Sequence, residues 1–298
     1  MFDSNPTPKV SIIMATYNRA AYIIETIESI RNQTYKNWEL IIVDDGSDDN
    51  TEELISQLKD ERVQFIKAGR TESKGKIINT GIKMASGELF AFIDSDDIWA
   101  PEKIKKQVSA LQQYPKTGFC LTGGFNFFIP FEPIEYFYKK KDGTKVANVF
   151  IDYFKSELPG FTQALMLRKE CIEVTGYFKE IKSFGDVEFI LKLAYQYTAV
   201  ILYEPLFFRR LHETNYIHST WEKSYQEGIE IIQSYKTSIP PKIATGAFFR
   251  LYINFGEECL VNKKRRKALK CFLKAWKIKP LSITPIRKIG KTLFTILK

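Results

Sequence analysis

Apolar and polar positions alternate along the first hundred residues in two rhythms. Val10-Ser11-Ile12-Ile13-Met14, Leu40-Ile41-Ile42-Val43, Val63-Gln64-Phe65-Ile66 and Leu89-Phe90-Ala91-Phe92-Ile93 are short, nearly continuous apolar runs. Runs of this kind suit strands buried on both faces, as in a parallel sheet covered by helices. Between them the spacing turns helical. Ile23, Ile24, Ile27 and Ile30 form one stripe, and Leu54, Ile55 and Leu58 another behind an Asp48-Asp49-Asn50 cap. A third helix, over residues 76–85, stops at Ser86-Gly87. The order β-α-β-α-β-α-β predicts an α/β fold: a Rossmann-like, mostly parallel sheet flanked by helices, with right-handed crossovers.

Beyond residue 100 the rhythm changes. A helix is expected over 101–113, and strands over 118–129, 161–167 and 199–211. A hairpin-type turn falls at Lys139-Lys140-Lys141-Asp142-Gly143-Thr144 in an aromatic-rich insertion. Gly185-Asp186 opens a helix that turns Ile190, Leu191, Leu193 and Ala194 inward, and from Trp221 the chain reads as helical to its end. With no repeat or low-complexity linker, the division is a body over 1–220, in halves 8–100 and 101–220, and a helical extension over 221–298.

Composition is ordinary for a globular chain, but charge is not evenly spread. The formal net charge is +9. Residues 261–298 carry 13 Lys/Arg and no Asp/Glu, which leaves 31 basic against 35 acidic side chains in the rest of the 298 residues. Basicity therefore belongs to the C-terminal stretch. The opening residues show neither a basic nor an apolar leader pattern, and the apolar runs are too short to span a bilayer. Cys120, Cys171, Cys259 and Cys271 form no C-x-x-C pair and read as buried thiols, so a cytoplasmic protein is expected.

The candidate chemistry sits at the end of the fourth apolar run, where Asp94-Ser95-Asp96-Asp97 precedes Pro101. Carboxylates leaving the carboxyl end of a buried parallel strand suit a divalent cation with phosphates completing its shell. The competing reading is a helix cap beside solvated acids. No G-x-G-x-x-G run or Walker lysine loop is present, which counts against a dinucleotide fold and a P-loop NTPase.

Taken in order, the motifs resemble the GT-A glycosyltransferases of family 2 over roughly residues 8–220. Val10–Arg19 looks like the family's first nucleotide-binding loop and Val43–Thr51 like its second. Asn79–Glu88 matches the helix before the metal strand, and Asp94-Ser95-Asp96-Asp97 stands at its D-x-D position. The resemblance implies an inverting transfer of one sugar from a nucleoside-diphosphate donor, UDP-linked, to a hydroxyl acceptor on a glycan or lipid-linked glycan. It implies donor contacts at Ala15, Tyr17 and Asn18, with Tyr17 facing the base, and at Asp45, which accepts an imide N–H. Asp94 and Ser95 would lie on the ribose side, and Asp96 would ligate Mn²⁺ or Mg²⁺. Asp186 would be the base, although the Glu that precedes it in the family is here Gly185. His212, in Arg210-Leu211-His212-Glu213-Thr214-Asn215, would lie by the diphosphate or metal, and His218 has a weaker claim. Lys76 and Lys74 stand where relatives carry a cation for the diphosphate; a solvated lysine is the competing reading for each.

The basic stretch places Leu269, Phe272, Leu273 and Trp276 on one helical face, then Ile286, Ile289, Leu293, Ile296 and Leu297 on a second. Two readings stand: peripheral contact with an anionic membrane surface, on the inner face of the plasma membrane, or a helical cap with its basic face in water. Nucleic acid is not expected, because no stacking motif or reading helix accompanies the charge. Rival functions are a donor-binding module without turnover and a nucleotidyltransferase.

Overall fold

The computed structural model describes residues 7–138, 142–158, 160–181, 185–212 and 217–297, with side chains of 217–221 and 294–297 left out. The expected turn at Lys139–Lys141, the segment Glu213–Asn215 and the side chains of His218, Ile296 and Leu297 lie outside the described residues. The chain divides into two compact units. One holds Met1–Phe150 and Pro159–Asn215, the other Ile151–Leu158 and Tyr216–Lys298.

The first unit begins β1 (Val10–Thr16), α1 (Ile23–Arg31), β2 (Trp38–Asp44), α2 (Thr51–Ser56), β3 (Val63–Lys67), α3 (Lys74–Met84), β4 (Leu89–Asp94). β2 and β4 flank β1 and β3 follows β2, all parallel, as the alternation of strand and helix predicts. β5 (Ile98–Trp99), α4 (Lys103–Gln113), β6 (Phe119–Phe127), β7 (Pro133–Tyr136) and β8 (Thr144–Ala147) follow. In chain order α5 (Phe150–Lys155) comes next and, from Ile151 on, belongs to the second unit. The first unit then resumes with a 3-10 turn over Thr162–Ala164, β9 (Leu165–Arg168), α6 (Lys169–Thr175), α7 (Gly185–Gln196) and β10 (Ala199–Arg210).

Strand order is β3-β2-β1-β4-β9-β6-β10-β5, with β7 beside β6 and β8 beside β10. β9 is antiparallel to both β4 and β6, so the later half of the sheet is mixed. An apolar run records burial but not direction, and Leu165, Met166 and Leu167 are fully buried in either sense. The two-residue β5 is too short to leave a periodic trace.

Among the buried polar groups of the strands, the Glu39 carboxylate is matched by neighbours. Glu39 of β2 is 4% exposed and accepts from Lys9 Nζ at 2.7 Å, Ser11 Oγ at 2.5 Å and Ser86 N at 2.8 Å. Burial alone would raise its carboxyl, but these hydrogen bonds outweigh it and pull the pKa from 4.5 down to about 2. A depressed carboxylate contributes stability that is complete above the unfolded pKa and is lost as pH falls through the folded one. Glu39→Gln should therefore flatten the loss of stability between about pH 4.5 and pH 2, read as the urea midpoint against pH.

The second unit is helical: α8 (Ile217–Ser234), α9 (Pro241–Val261), α10 (Arg265–Ile278) and α11 (Ile283–Leu297). Phe272, Cys271, Ala268 and Ala275 of α10 are buried with Ile253, Phe255 and Cys259 of α9. A Cβ at Gly256 would collide with the Phe272 ring, so this glycine permits the close packing of α9 on α10. Leu273 and Trp276, expected on one apolar face with Phe272, are 38% and 40% exposed, so only part of that face is buried. The inner stripe of α10 is narrower than its apolar face, and small residues complete it. No described helix is long and apolar enough to cross a membrane.

Candidate functional site

Parallel strands leave their carboxyl ends on one edge of the sheet, and loops from β1, β2 and β4 meet there. Register places Ala15 opposite Val43 and Asp94, and Thr16 opposite Asp44. Asp44 shapes the loop after β2, accepting from Gly46 N at 3.1 Å and Ser47 N at 2.9 Å. Gly46 has φ +81°, a turn conformation that favours glycine. Asn18 sits at φ +50°, which Asn tolerates, and spends its side chain on that loop. Its Nδ2 donates to Asp48 Oδ1 at 2.6 Å and its Oδ1 accepts from Asp48 N at 2.9 Å. Asp45 is 7% exposed and accepts from Thr71 N at 2.5 Å, Glu72 N at 3.2 Å and Arg70 Nη1. The Arg70 guanidinium lies over the Tyr17 ring at 3.8 Å, so Tyr17 and Asp45 share one occupant.

The acids after β4 form a tight group. One oxygen each from Asp94, Asp96 and Asp97 lies within 4.8 Å of the others, and Ser95 is buried among them. Asp96 Oδ2 takes Arg19 Nε at 3.1 Å and His212 Nε2 at 2.9 Å. The His212 ring stacks on Tyr22, with centroids 5.0 Å apart. Burial works against ionisation of Asp96, but the His212 hydrogen bond and the Arg19 charge hold its pKa below the usual value. Asp97 is buried and accepts from Arg210 N at 2.9 Å and Gln163 Nε2 at 2.8 Å. Gln163 Nε2 also reaches Asp94 Oδ2 at 2.5 Å. Burial, then the neighbouring acids, push Asp97 well above the ordinary carboxylate range. Burial leads in raising Asp94 as well.

Asp186 is the second residue of α7. Its Oδ2 accepts from Lys74 Nζ at 3.0 Å and Thr162 Oγ1 at 3.2 Å, and Lys74 Nζ also lies 2.7 Å from Asp94 Oδ1. One ammonium therefore bridges the acid cluster and the first turn of α7. Burial would lower the Lys74 pKa, but Asp186 and Asp94 together raise it, so the bridge stays charged. Lys76, two residues on, is exposed and forms no ion pair with these acids. Asn79 Nδ2 donates to Phe178 O and its Oδ1 accepts from Phe178 N, both at 2.9 Å, which fixes the approach to α7. A Cβ at Gly185 would come 3.2 Å from Lys179 O, so that carbonyl crowds the position where the family has Glu.

The same carbonyl constrains Gly75. A Cβ there would stand 2.5 Å from Lys179 O and 3.1 Å from Lys179 C, both backbone atoms. Gly75→Ala must part α3 from this backbone segment. A stability loss of about 1–3 kcal/mol is expected, read from the urea midpoint.

The acid cluster fits a divalent cation on the chemistry of its donors. Hard carboxylate oxygens converge, burial and the neighbouring acids push Asp94 and Asp97 upward from the ordinary carboxylate value, and the buried Gln163 Oε1 has no hydrogen-bond partner. Asp94, Asp96 and Asp97 are the residues that would hold such an ion. Around the strand ends, Phe127 and Tyr138 are buried, whereas Phe128, Phe131 and Tyr136 are exposed. Leu211 N donates to Phe127 O at 2.8 Å, tying this aromatic ledge to the strand that delivers His212.

Sequence reasoning left Arg19, Arg70, Thr162 and Gln163 without a role and weighed Lys74 as solvated. Arg19 closes the Tyr17-Asn18-Arg19 motif, which was a signal. Gln163 acts across 66 and 69 residues, and nothing local marks it.

Comparison with known proteins supports this picture at two levels. The chain is 41% identical over 102 residues to the Escherichia coli UDP-Glc:alpha-D-GlcNAc-diphosphoundecaprenol beta-1,3-glucosyltransferase WfgD, covering 34% of this chain and 40% of that protein. The match spans 33–51% of the length of three of the curated relatives and only 15–17% of three longer ones. Among solved structures, S. aureus TarS 1-349 in complex with UDP-GlcNAc aligns with a TM-score of 0.68 at 18% identity, over 91% of this chain and 81% of that one. The mannosyltransferase PcManGT from Pyrobaculum calidifontis, in complex with GDP-Man and Mn²⁺, aligns with a TM-score of 0.59 at 19% identity, over 99% and 82%. Both likenesses speak for a GT-A fold. The family model for glycosyl transferase family 2 matches residues 11–170, from β1 through the acid cluster and β9, and ends before Asp186 and His212. Since that stretch is more than half of the 298 residues, the chain belongs to glycosyl transferase family 2.

Proposed function

We propose that this chain is a metal-dependent, inverting glycosyltransferase. It moves one sugar from a UDP-linked donor to a hydroxyl of a lipid-linked glycan in cell-surface polysaccharide synthesis. The observation that carries the reading is the Lys74 bridge, which brings Asp186 and the Asp94–Asp97 cluster to the same cation. The activity for which WfgD is named, on a diphosphoundecaprenol-linked sugar, supports the acceptor class, and the UDP-GlcNAc complex of TarS supports the donor class.

In this reading Tyr17 stacks on the nucleobase and Asp45 accepts its imide N–H once Arg70 has moved aside. Asp94 and Ser95 face the ribose, and Asp96, kept ionised by His212 and Arg19, meets the cation. A bound Mn²⁺ or Mg²⁺ supplies Lewis acidity on the leaving diphosphate and a template for its position. Lys74, freed from Asp186 when the donor fills the site, gives a further positive charge to the diphosphate. Asp186 then takes the acceptor proton as the hydroxyl oxygen attacks the anomeric carbon from the face opposite the leaving group. The exposed Phe128, Phe131 and Tyr136 offer sugar-stacking faces for the acceptor. An acceptor of this class would be met at the cytoplasmic face of a membrane.

The test is a thermal-shift series of nucleotide sugars with and without Mn²⁺, because a ligand that binds only the folded chain raises its midpoint. UDP-sugars should give the largest rise, increased by Mn²⁺, and the best of them should yield UDP when a lipid diphosphate-sugar acceptor is added. No rise with any nucleotide sugar counts against the reading. Gly185 in the place of Glu favours a second reading, a donor-binding module without turnover. That reading predicts the same rise but no glycosylated product.

A further inference from the structure

In the second unit the buried stripe of α10 and α11 leaves a second set of apolar residues facing out. Trp276 is 40% exposed, Ile286 50%, Ile283 68%, and Leu281, at the turn between the helices, 98%. On α11, Ile283, Ile286 and Leu293 follow a spacing of three and seven, one stripe along a helix. Trp276 Nε1 donates to Pro280 O at 3.2 Å, which anchors its indole to the turn and leaves its polar group satisfied. The result is a projecting wedge rather than a groove.

The segment that carries it is basic. Residues 261–298 contain 13 Lys/Arg and no acid. Acids of α8 and α9 pair with only some of them. Glu222 meets Lys264 and Lys267, and Glu257 meets Lys288. Lys277, Arg287 and Lys291, all exposed, lie beside the wedge. Charge and shape together select the occupant. Aliphatic tips do not stack on bases, and an acidic protein surface gives Leu281 and Ile283 nothing apolar to enter. A bilayer gives both, with acyl chains for the aliphatic tip, a headgroup zone for Trp276 and anionic lipid for the cations.

We propose that the α10–α11 turn docks the chain on a bilayer carrying anionic phospholipid, with Leu281 and Ile283 entering the acyl boundary and the lysines and arginine resting on headgroups. This surface is independent of sugar transfer, so its test needs no turnover and can fail while the transferase reading stands.

The experiment is co-sedimentation of the full chain with vesicles of phosphatidylcholine alone or mixed with phosphatidylglycerol. Binding is expected to the mixed vesicles, to weaken with salt, and to fall by about tenfold or more in the Leu281→Asp, Ile283→Asp double variant. Lys277→Glu, which leaves the apolar tip intact, should lower it by roughly fivefold or more. Bromolipid should quench the wild-type fluorescence and lose most of that effect in Trp276→Phe. No binding to mixed vesicles, equal binding to neutral ones, or unchanged binding by both variants would overturn the proposal. So would a wild-type oligomer that the double variant makes monomeric, since the wedge would then serve a second copy of the chain. If the double variant fails to fold, Lys277→Glu and the quenching decide.

Discussion

Asp186→Asn is expected to lower sugar transfer by roughly 10²- to 10⁴-fold while donor affinity stays near wild type. Asparagine keeps the shape, and its carbonyl oxygen can still accept from Thr162 Oγ1 and Lys74 Nζ, the partners Asp186 has now. What it cannot do is take a proton from an attacking hydroxyl. The fall should therefore appear in kcat with little change in the donor dissociation constant measured by calorimetry. The missing family Glu sharpens the test. With Gly185 crowded by Lys179 O, Lys74 and Thr162 are the described side chains that hold the Asp186 carboxylate. Transfer at the wild-type rate would remove Asp186 from the chemistry.

Asp96→Asn is expected to abolish the Mn²⁺-dependent rise in thermal midpoint and to lower transfer by about 100-fold or more. Loss of an outer partner of a metal ligand already costs about 10–100-fold, and loss of the ligand itself costs more. Asp96 is the acid of the three whose pKa is lowered, so it brings a full charge to the cluster near neutral pH. Asparagine would leave Arg19 and His212 with a neutral partner, beside two acids whose pKa values burial has raised. The midpoint with Mn²⁺ but without donor reads the cluster itself, separately from catalysis. A variant that Mn²⁺ stabilises as much as wild type would place the ion elsewhere.

Much of the first hundred residues was legible because their physics is local. Continuous apolar runs became β1, β2 and β4, and the Ile23–Ile30 stripe became the buried side of α1. Asp94 ends β4 and Asp96 and Asp97 follow it directly, so their convergence needs only one strand and one turn. The rest depends on contacts that no window contains. Lys74 and Lys76 are chemically alike and two residues apart, and only the orientation of α3 decides which one reaches Asp94 and Asp186. Gln163 lay in a run read as strand, yet it sits in a 3-10 turn whose side chain crosses to β4. Leu273 and Trp276 share a helical period with Phe272, but the small residues Ala268 and Ala275 fill the inner stripe instead.

Arg70 gives the resting protein an internal competitor. Its flat cation, lying on Tyr17 and donating to Asp45, makes the same pair of contacts proposed for a planar nucleobase with an N–H. On that proposal a donor would bind only the fraction of molecules from which Arg70 has withdrawn, and its apparent dissociation constant would rise by the reciprocal of that fraction. The proposed nucleotide affinity would then be adjustable at a residue that need never touch the sugar.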